Sequence, residues 1–333
     1  PPPPPPLYPP PPPPDTPTSR CSSAASDVYK RQSLTGPSGG TITVDLATGD
    51  VSAIAGDDYT ATSGTVTFAP GVVSGTFTVP TLDDLLDELG ESLILSATGS
   101  TGTIGDIGDT GTGTIIDDDP TPVMVIGDVS VTEGGDLVFD VSLTGPSGGA
   151  ITVDLATSDG SAVAGDDYTS STGTVTFPPG VTTATFTVGT TDDAVDELDE
   201  TLTVSATGST GTIGDISDTG TGTIEDNDDP PAVSIDDVSE TEGGDLVFTV
   251  SLSNPSSSTI ELDLRTADGT AVAGDDYTST TGTVTFAPGV VSETFTVPTL
   301  GDLLDEVDET LTVSIDASTG PCLLYTSPSP RDI

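Results

Sequence analysis

The chain has 333 residues, of which 54 are acidic and 5 are basic, giving a net charge of -49. Between residues 33 and 321, which we call the body, Arg265 is the only basic residue. Nucleic acid and anionic membranes bind basic faces, so we expect neither as a partner and expect cations instead. No run of about 18 apolar residues is present, so no transmembrane segment is predicted.

The two ends differ in composition from the body. The chain begins with a proline-rich run, and residues 22–32 (SSAASDVYKRQ) and 322–332 (CLLYTSPSPRD) interrupt the repeat pattern without a linker. These two strings resemble translated sequencing adapters. We therefore expect residues 1–32 to be artefactual or disordered and 322–333 to be an adapter-like tail. Both cysteines lie outside the body, which leaves it without a disulfide or a thiolate metal site.

The body consists of three copies of one unit. SLTGPSGG occurs at 33–40 and 142–149 and returns as SLSNPSSS at 251–258, a spacing of 109 residues each time. That period matches a whole domain of immunoglobulin size rather than a solenoid repeat. The predicted domains are a first repeat at 33–120 that lacks its first strand, a complete second repeat at 123–229, and a truncated third repeat at 232–316.

The second repeat has the alternation of apolar and polar residues that is typical of half-buried strands. Leu137, Phe139, Val141 and Leu143 alternate with polar residues, and so place their side chains on one face. We predict an all-β protein of tandem immunoglobulin-like antiparallel β-sandwiches. The predicted strands are 123–126, 129–132, 137–143, 150–156, 173–177, 183–188, 201–206 and 221–225.

Acidic residues of the second repeat cluster at predicted strand ends and loops. Charge on a salt-adapted surface explains many of these carboxylates but not their clustering. Carboxylates held together repel one another, and a hard divalent cation removes that repulsion. Numerous carboxylates on flexible loops favour calcium over magnesium, while the absence of His and Cys from the body removes the usual zinc and copper ligands.

Four motifs, in order, carry a family resemblance: TEGGDLVF, TSDGSAVAGDDYTSSTGTVTFPPG, TTDDAVDELDETLTVS and GTIEDND. Together they resemble the Calx-beta domain, a module of sodium–calcium exchangers, integrin β4 and bacterial surface proteins. The resemblance implies an immunoglobulin-like sandwich whose distal loops bind Ca²⁺. In the second repeat the implied ligands are Glu133, Asp167, Asp192, Asp193, Glu197, Asp226 and Asp228.

The other repeats match the implied ligand set less completely. The first repeat lacks the counterpart of Glu133. In the third repeat Gly301 replaces an Asp, and the counterparts of Asp226 and Asp228 are absent. The matching residues are Asp58, Asp83, Asp84, Glu88, Asp117 and Asp119 in the first repeat, and Glu242, Asp276, Asp302 and Glu306 in the third.

The three tyrosines of the body, Tyr59, Tyr168 and Tyr277, each follow a pair of aspartates. A stacking platform for sugar is one interpretation. One tyrosine per domain beside a loop is more typical of a packing anchor whose hydroxyl bonds to the backbone, and we predict that role. We expect Arg265 to be solvated and paired with a nearby carboxylate.

We predict that the repeats are not enzymes. Paired carboxylates hydrolyse glycosides in some proteins, but here the same acidic segment recurs in every copy, and the body lacks the His and Cys of a triad. The preferred reading is a secreted or cell-surface protein with calcium-stiffened repeats for adhesion, whose partners are other surface proteins or glycans. The alternatives are noncatalytic modules of a secreted hydrolase and an acidic polyelectrolyte.

Overall fold

A computed structural model describes residues 28–303 and 306–320, and in this part of the chain all regular structure is β-strand. The predictions for the proline-rich run and for the adapter-like tail lie outside the described residues. The described residues contain no helix long and apolar enough to cross a membrane. Contacts divide the chain into two units: one runs to Pro122 and adds Gly145–Gly149, and the other contains Val123–Thr144 and the residues from Ala150 onward.

The first unit contains the first repeat, built as a four-stranded sheet in the order β3-β2-β5-β6 and a two-stranded sheet of β1 and β4. β1 lies within a segment whose sequence resembles an adapter, and it pairs with β4 from Val28 opposite Val79 to Ser33 opposite Ser74. The foreign origin of this segment stays a prediction. The strands are β1 Val28–Ser33, β2 Ile42–Asp50, β3 Ser63–Phe68, β4 Ser74–Val79, β5 Glu91–Thr101 and β6 Thr110–Ile115.

The second repeat forms a five-stranded sheet, β11-β10-β13-β14-β8, and a three-stranded sheet, β12-β9-β7. Each of the eight predicted strands is present, with ends shifted by a few residues at most. The strands are β7 Met124–Ile126, β8 Val129–Thr132, β9 Asp136–Leu143, β10 Ile151–Asp159, β11 Thr172–Phe177, β12 Thr183–Gly189, β13 Glu200–Thr210 and β14 Thr219–Glu225.

The core of the second repeat lies between its two sheets. Leu137, Phe139 and Val141 of β9 are fully buried, and they pack in one cluster with Ile151 and Val153 of β10. The intervening residues of β9 are mostly exposed. The predicted alternation is therefore confirmed, and the all-β sandwich with it.

Glycine allows β14 to lie close to this core. A Cβ added at Gly222 would come within 2.8 Å of Leu137 Cδ1 and of Phe139 Cζ. The glycines of the TGTGTIE segment therefore leave room for the large side chains of β9. β14 also pairs in parallel with β8, with Gly222 opposite Val129 and Glu225 opposite Thr132.

The third repeat lies in the second unit and consists of two three-stranded sheets, β15-β16-β19 and β18-β17-β20. Its core repeats that of the second, with Phe248, Val250 and Leu262 buried. As predicted, Arg265 on β17 pairs with a carboxylate, its Nε lying 3.4 Å from Asp316 Oδ1. The strands are β15 Val233–Ile235, β16 Asp245–Leu252, β17 Ile260–Asp268, β18 Thr281–Phe286, β19 Ser292–Pro298 and β20 Leu311–Thr319.

Candidate metal centre

Backbone hydrogen bonds join the acidic loops of the second repeat. The N–H of Glu133, which follows β8, donates to the carbonyl oxygen of Glu225 at the end of β14, at 3.0 Å. The N–H of Thr191 donates to the carbonyl oxygen of Asp167 at 2.8 Å, and the N–H of Gly134 donates to the carbonyl oxygen of Thr191 at 3.2 Å. Loops that are distant in the sequence thus meet at one end of the sandwich, as expected for this architecture.

Two groups of three carboxylates form at this end. In each group one oxygen from every residue lies within 4.8 Å of the others. One group consists of Asp167, Glu197 and Glu200, and the other of Glu133, Asp193 and Asp228. Oxygens at about 2.4 Å from a shared cation are at most about 4.8 Å apart, so this spacing suits Ca²⁺.

Two buried oxygens of the closing loop indicate that the arrangement is incomplete without a cation. Asp226 Oδ1 and Asp228 Oδ2 are buried and have no hydrogen-bond partner among the described residues. A buried carboxylate oxygen without a partner is unfavourable, and a bound cation satisfies it. The donor set is entirely oxygen, which selects hard cations such as Ca²⁺.

The pKa values in the group of Asp167, Glu197 and Glu200 also favour a bound cation. Burial, followed by the charges of Asp167 and Asp193, raises the pKa of Glu197 to about 7. Burial and a hydrogen bond with Asp167 raise the pKa of Glu200 to about 7. These carboxyl groups therefore hold their protons to a higher pH than ordinary glutamates do, and a cation would compete with those protons.

Two predicted ligands lie beside the groups rather than within them. Asp226 contributes to the same cavity as Glu133 and Glu197, and burial raises its pKa. Asp192 Oδ1 accepts a hydrogen bond from the side-chain amide of Asn227 at 3.3 Å. A Cβ at Gly134, where φ is +76°, would lie 2.8 Å from Asp192 Cβ, so the glycine of the TEGGD motif makes room for this loop.

The loop that carries Asp167 is held by Tyr168. The hydroxyl of this buried tyrosine donates to Asp159 Oδ1 at 2.6 Å, and the same oxygen accepts the N–H of Ala164 at 3.0 Å. Asp167 Oδ2 accepts the N–H of Val163 at 2.6 Å. Tyr168 thus has the predicted packing role, but its hydroxyl bonds to a carboxylate rather than to the backbone. Tyr59 and Tyr277 make the equivalent bonds.

The first repeat has one group of three carboxylates, formed by Asp58, Glu88 and Glu91. Its six predicted ligands line one cavity together with Glu91: Asp58, Asp83, Asp84, Glu88, Asp117 and Asp119. Burial and a hydrogen bond with Asp58 raise the pKa of Glu91 to about 7, and Glu91 Oε2 is buried without a hydrogen-bond partner. The site thus resembles that of the second repeat.

In the third repeat the corresponding residues are open to solvent. Glu242, Asp302 and Glu306 form a group of three, and all three side chains are exposed. Asp276 is not a member of this group, but it bonds to Glu309, and its charge contributes to raising the pKa of Glu306. Exposed carboxylates keep their hydration and therefore gain less free energy from a bound cation than buried ones do. We expect cation binding to be weaker in the third repeat than in the first and second.

Sequence reasoning missed the glutamate that begins β5 in the first repeat and the glutamate that begins β13 in the second. Glu91 and Glu200 each lie three residues after a predicted ligand, Glu88 and Glu197, and each belongs to a carboxylate group. The spacing of three residues across the start of the strand is the signal that could have identified them.

Comparison with known proteins identifies partial relatives. A segment of 73 residues is 41% identical to sodium/calcium exchanger 1 of Canis lupus familiaris and to that of Bos taurus. This segment is 22% of the present chain and 6% of the exchanger, so the chain spans only a small part of these relatives' length.

Solved structures with the same type of module are also similar. The crystal structure of CBD12 from CALX1.2 is 24% identical, with a TM-score of 0.31, and the match covers 60% of this chain and 82% of that one. The apo form of the Calx CBD1 domain is 26% identical, also with a TM-score of 0.31, covering 33% of this chain and 100% of that one.

The Calx-beta domain family matches three consecutive segments, residues 28–119, 116–228 and 226–326. These segments follow one another along the chain and together contain the twenty strands of the described residues. The chain therefore belongs to the Calx-beta domain family.

Proposed function

We propose that the first and second repeats bind calcium at the carboxylate groups of their acidic loops. The observation that carries this proposal is the pair of carboxylate groups in the second repeat, beside the partnerless buried oxygens of Asp226 and Asp228. The exchanger relatives are named for sodium and calcium, and membership of the Calx-beta family supports the same ion.

Calcium would also restrict movement between repeats. The closing cluster, Asp226 to Asp229, is followed at once by Pro230 and Pro231, and β15 of the next repeat begins at Val233. Proline limits the conformations of so short a linker. A cation that holds the closing cluster therefore fixes the residues that lead into the linker, and the array becomes stiffer.

A stiff, acidic array of binding modules fits an adhesive role at a cell surface or in the medium, where calcium is plentiful. Its partners would be surface proteins or glycans. We infer no catalytic role for the repeats, because similar carboxylate groups recur in the first and second repeats and their spacing suits cation binding. For the whole protein we propose this adhesive role. The competing proposal is a hydrolase that carries these repeats as noncatalytic accessory modules.

Calorimetric titration of the full chain with calcium tests the proposal. Glu197→Gln should weaken binding at the second repeat by at least about tenfold, since even indirect partners of a metal contribute 10- to 100-fold. Glu306→Gln, in the exposed group of the third repeat, should have a smaller effect.

Glu261→Gln provides the matched control, because Glu261 is an exposed glutamate on β17 that belongs to none of the carboxylate groups. It should bind calcium as the unaltered chain does. Absence of heat from the unaltered chain at millimolar calcium, or equal losses in the Glu197 and Glu261 variants, would refute the proposal.

A further inference from the structure

The acidic loop of the second repeat contains a carboxylate that belongs to neither cation group. Asp196 lies between Asp193 and Glu197, which are members of the two groups, yet its side chain is only 7% exposed. Burial of a carboxylate is unfavourable unless hydrogen bonds replace the lost water. The partners of Asp196 therefore indicate its role.

Those partners belong to a turn of the third repeat. The N–H of Asp196 donates to the carbonyl oxygen of Pro255 at 3.1 Å, and the N–H of Ser257 donates to the carbonyl oxygen of Asp196 at 3.0 Å. The hydroxyl of Ser256 lies 2.9 Å from Asp196 Oδ2 and 3.2 Å from its carbonyl oxygen. Ser256 is 3% exposed, so the turn is seated on the loop.

The first unit contains the same backbone contacts, but its carboxylate is bonded differently. Asp87 Oδ1 accepts the hydroxyl of Thr121 at 3.2 Å, and Asp87 Oδ2 is buried without a hydrogen-bond partner among the described residues. Asp87, which precedes Glu88, is 5% exposed, and its N–H donates to the carbonyl oxygen of Pro146 at 3.1 Å. The hydroxyl of Ser147 donates to the carbonyl oxygen of Asp87 at 3.3 Å, and the N–H of Gly148 donates to the same oxygen at 3.0 Å. Among the described residues, these two aspartates and two serines are the buried polar side chains. The contact thus occurs at corresponding positions of successive repeats.

The turn has its shape before it docks. The hydroxyl oxygen of Ser256 accepts the N–H of Ser258 at 3.2 Å, and Ser147 accepts that of Gly149 at the same distance. Ser38 of the first repeat accepts the N–H of Gly40 at 3.2 Å although it is only half-buried. A preformed turn loses little conformational entropy on binding, which favours recognition.

We propose that Asp196 with Pro255–Ser257, which we call the Asp–Ser clasp, is the interaction surface through which one repeat recognises the next. Its partner is a Pro–Ser turn that offers the N–H of Ser257 and the hydroxyls of Ser256 and Ser257 to a buried aspartate, and one carbonyl oxygen to the aspartate's N–H. Because the clasp shares its loop with Asp193 and Glu197, a cation that orders this loop also tightens the clasp. This last step rests on the proposed function.

Amide hydrogen exchange on the full chain, with and without calcium, tests the clasp. Ser256→Ala removes the hydroxyl and leaves every carboxylate in place, so exchange at the amides of Asp196 and Ser257 should become about fivefold faster or more, the factor for one net hydrogen bond. Ser279→Ala, at an exposed serine of the same repeat, should leave both rates unchanged. Unchanged exchange in strand β16 would show that the third repeat remains folded.

Equal rates at Asp196 and Ser257 in the unaltered chain and in Ser256→Ala would overturn the clasp. Saturating calcium should slow exchange at the Ser257 amide of the unaltered chain, and it should slow this exchange less in the Ser256→Ala variant. Calcium binding measured by calorimetry without any change at Ser257 would overturn the coupling but not the proposed function. An absence of calcium binding would overturn both the proposed function and the coupling, while the Ser256 variant would still decide whether the clasp exists.

Discussion

The raised pKa values of Glu197 and Glu200 predict how the stability of the metal-free chain depends on pH. Both rise from 4.5 to about 7, chiefly because of burial. Between these values the folded chain holds protons that the unfolded chain has lost. The free energy of unfolding of the second repeat should therefore fall as the pH rises from about 4.5 through 7.

The size of this effect follows from the two pKa values. A rise from 4.5 to about 7 corresponds to roughly 3 kcal/mol for each group in the absence of screening. Both carboxyl groups keep some contact with water, which screens the repulsion, so we expect about 1 kcal/mol for each. The metal-free second repeat should thus lose about 2 kcal/mol of stability between pH 4.5 and pH 8.

Thermal unfolding in a chelator at pH 4.5 and pH 8 measures this loss. Glu197→Gln should stabilise the metal-free chain by about 1 kcal/mol at pH 8 and have little effect at pH 4.5. Glu261→Gln corrects for the general repulsion within so acidic a chain. If Glu197→Gln were no more stabilising at pH 8 than Glu261→Gln, the carboxylates of the group would not be under electrostatic strain, and the reasoning would fail.

Two further predictions concern the frame of the site. Tyr168→Phe removes the hydroxyl that donates to Asp159 and should lower the free energy of unfolding by about 1–3 kcal/mol, which a shift of the calorimetric transition would measure; an unchanged transition would contradict a stabilising role for this bond. Gly222→Ala places a methyl group against Leu137 and Phe139 and should cost about 1–3 kcal/mol. Gly105→Ala, which meets no atom within 4 Å, should change the transition little, and equal effects of the two alanines would contradict the close packing of β14.

The strands could be predicted because their cause is local. Alternation of apolar and polar residues fixes which face of a strand is buried, and Leu137, Phe139 and Val141 show it without interruption. The AGDDYT motif, which recurs in every repeat, likewise allowed the packing role of each tyrosine to be predicted. The hydrogen-bond partner of the Tyr168 hydroxyl was not predicted, because it is Asp159, nine residues earlier at the end of β10.

The site was less predictable, because loop conformation decides which carboxylates meet. The family resemblance implied Glu197 and Asp193 as ligands of the second repeat, and the structure places them in two carboxylate groups, with both residues lining one cavity. Glu200 was missed because it begins a strand, and Asp196 looks no different in the sequence from its acidic neighbours. The seating of a turn from another repeat distinguishes Asp196 from the candidate cation ligands.

The parallel pairing of β8 with β14 has a mechanical consequence. The chain enters the second repeat through β7, which directly precedes β8, and leaves it shortly after β14. The strands β8 and β14 run side by side in the same direction. Tension that reaches both strands pulls them past each other along their length, so that the hydrogen bonds from Val129 to Thr132 bear the load together in shear instead of opening one at a time. Asp226 and Asp228 follow the C-terminal end of β14, where the tension is applied. A calcium ion held there would stabilise the repeat at the point where the chain leaves it.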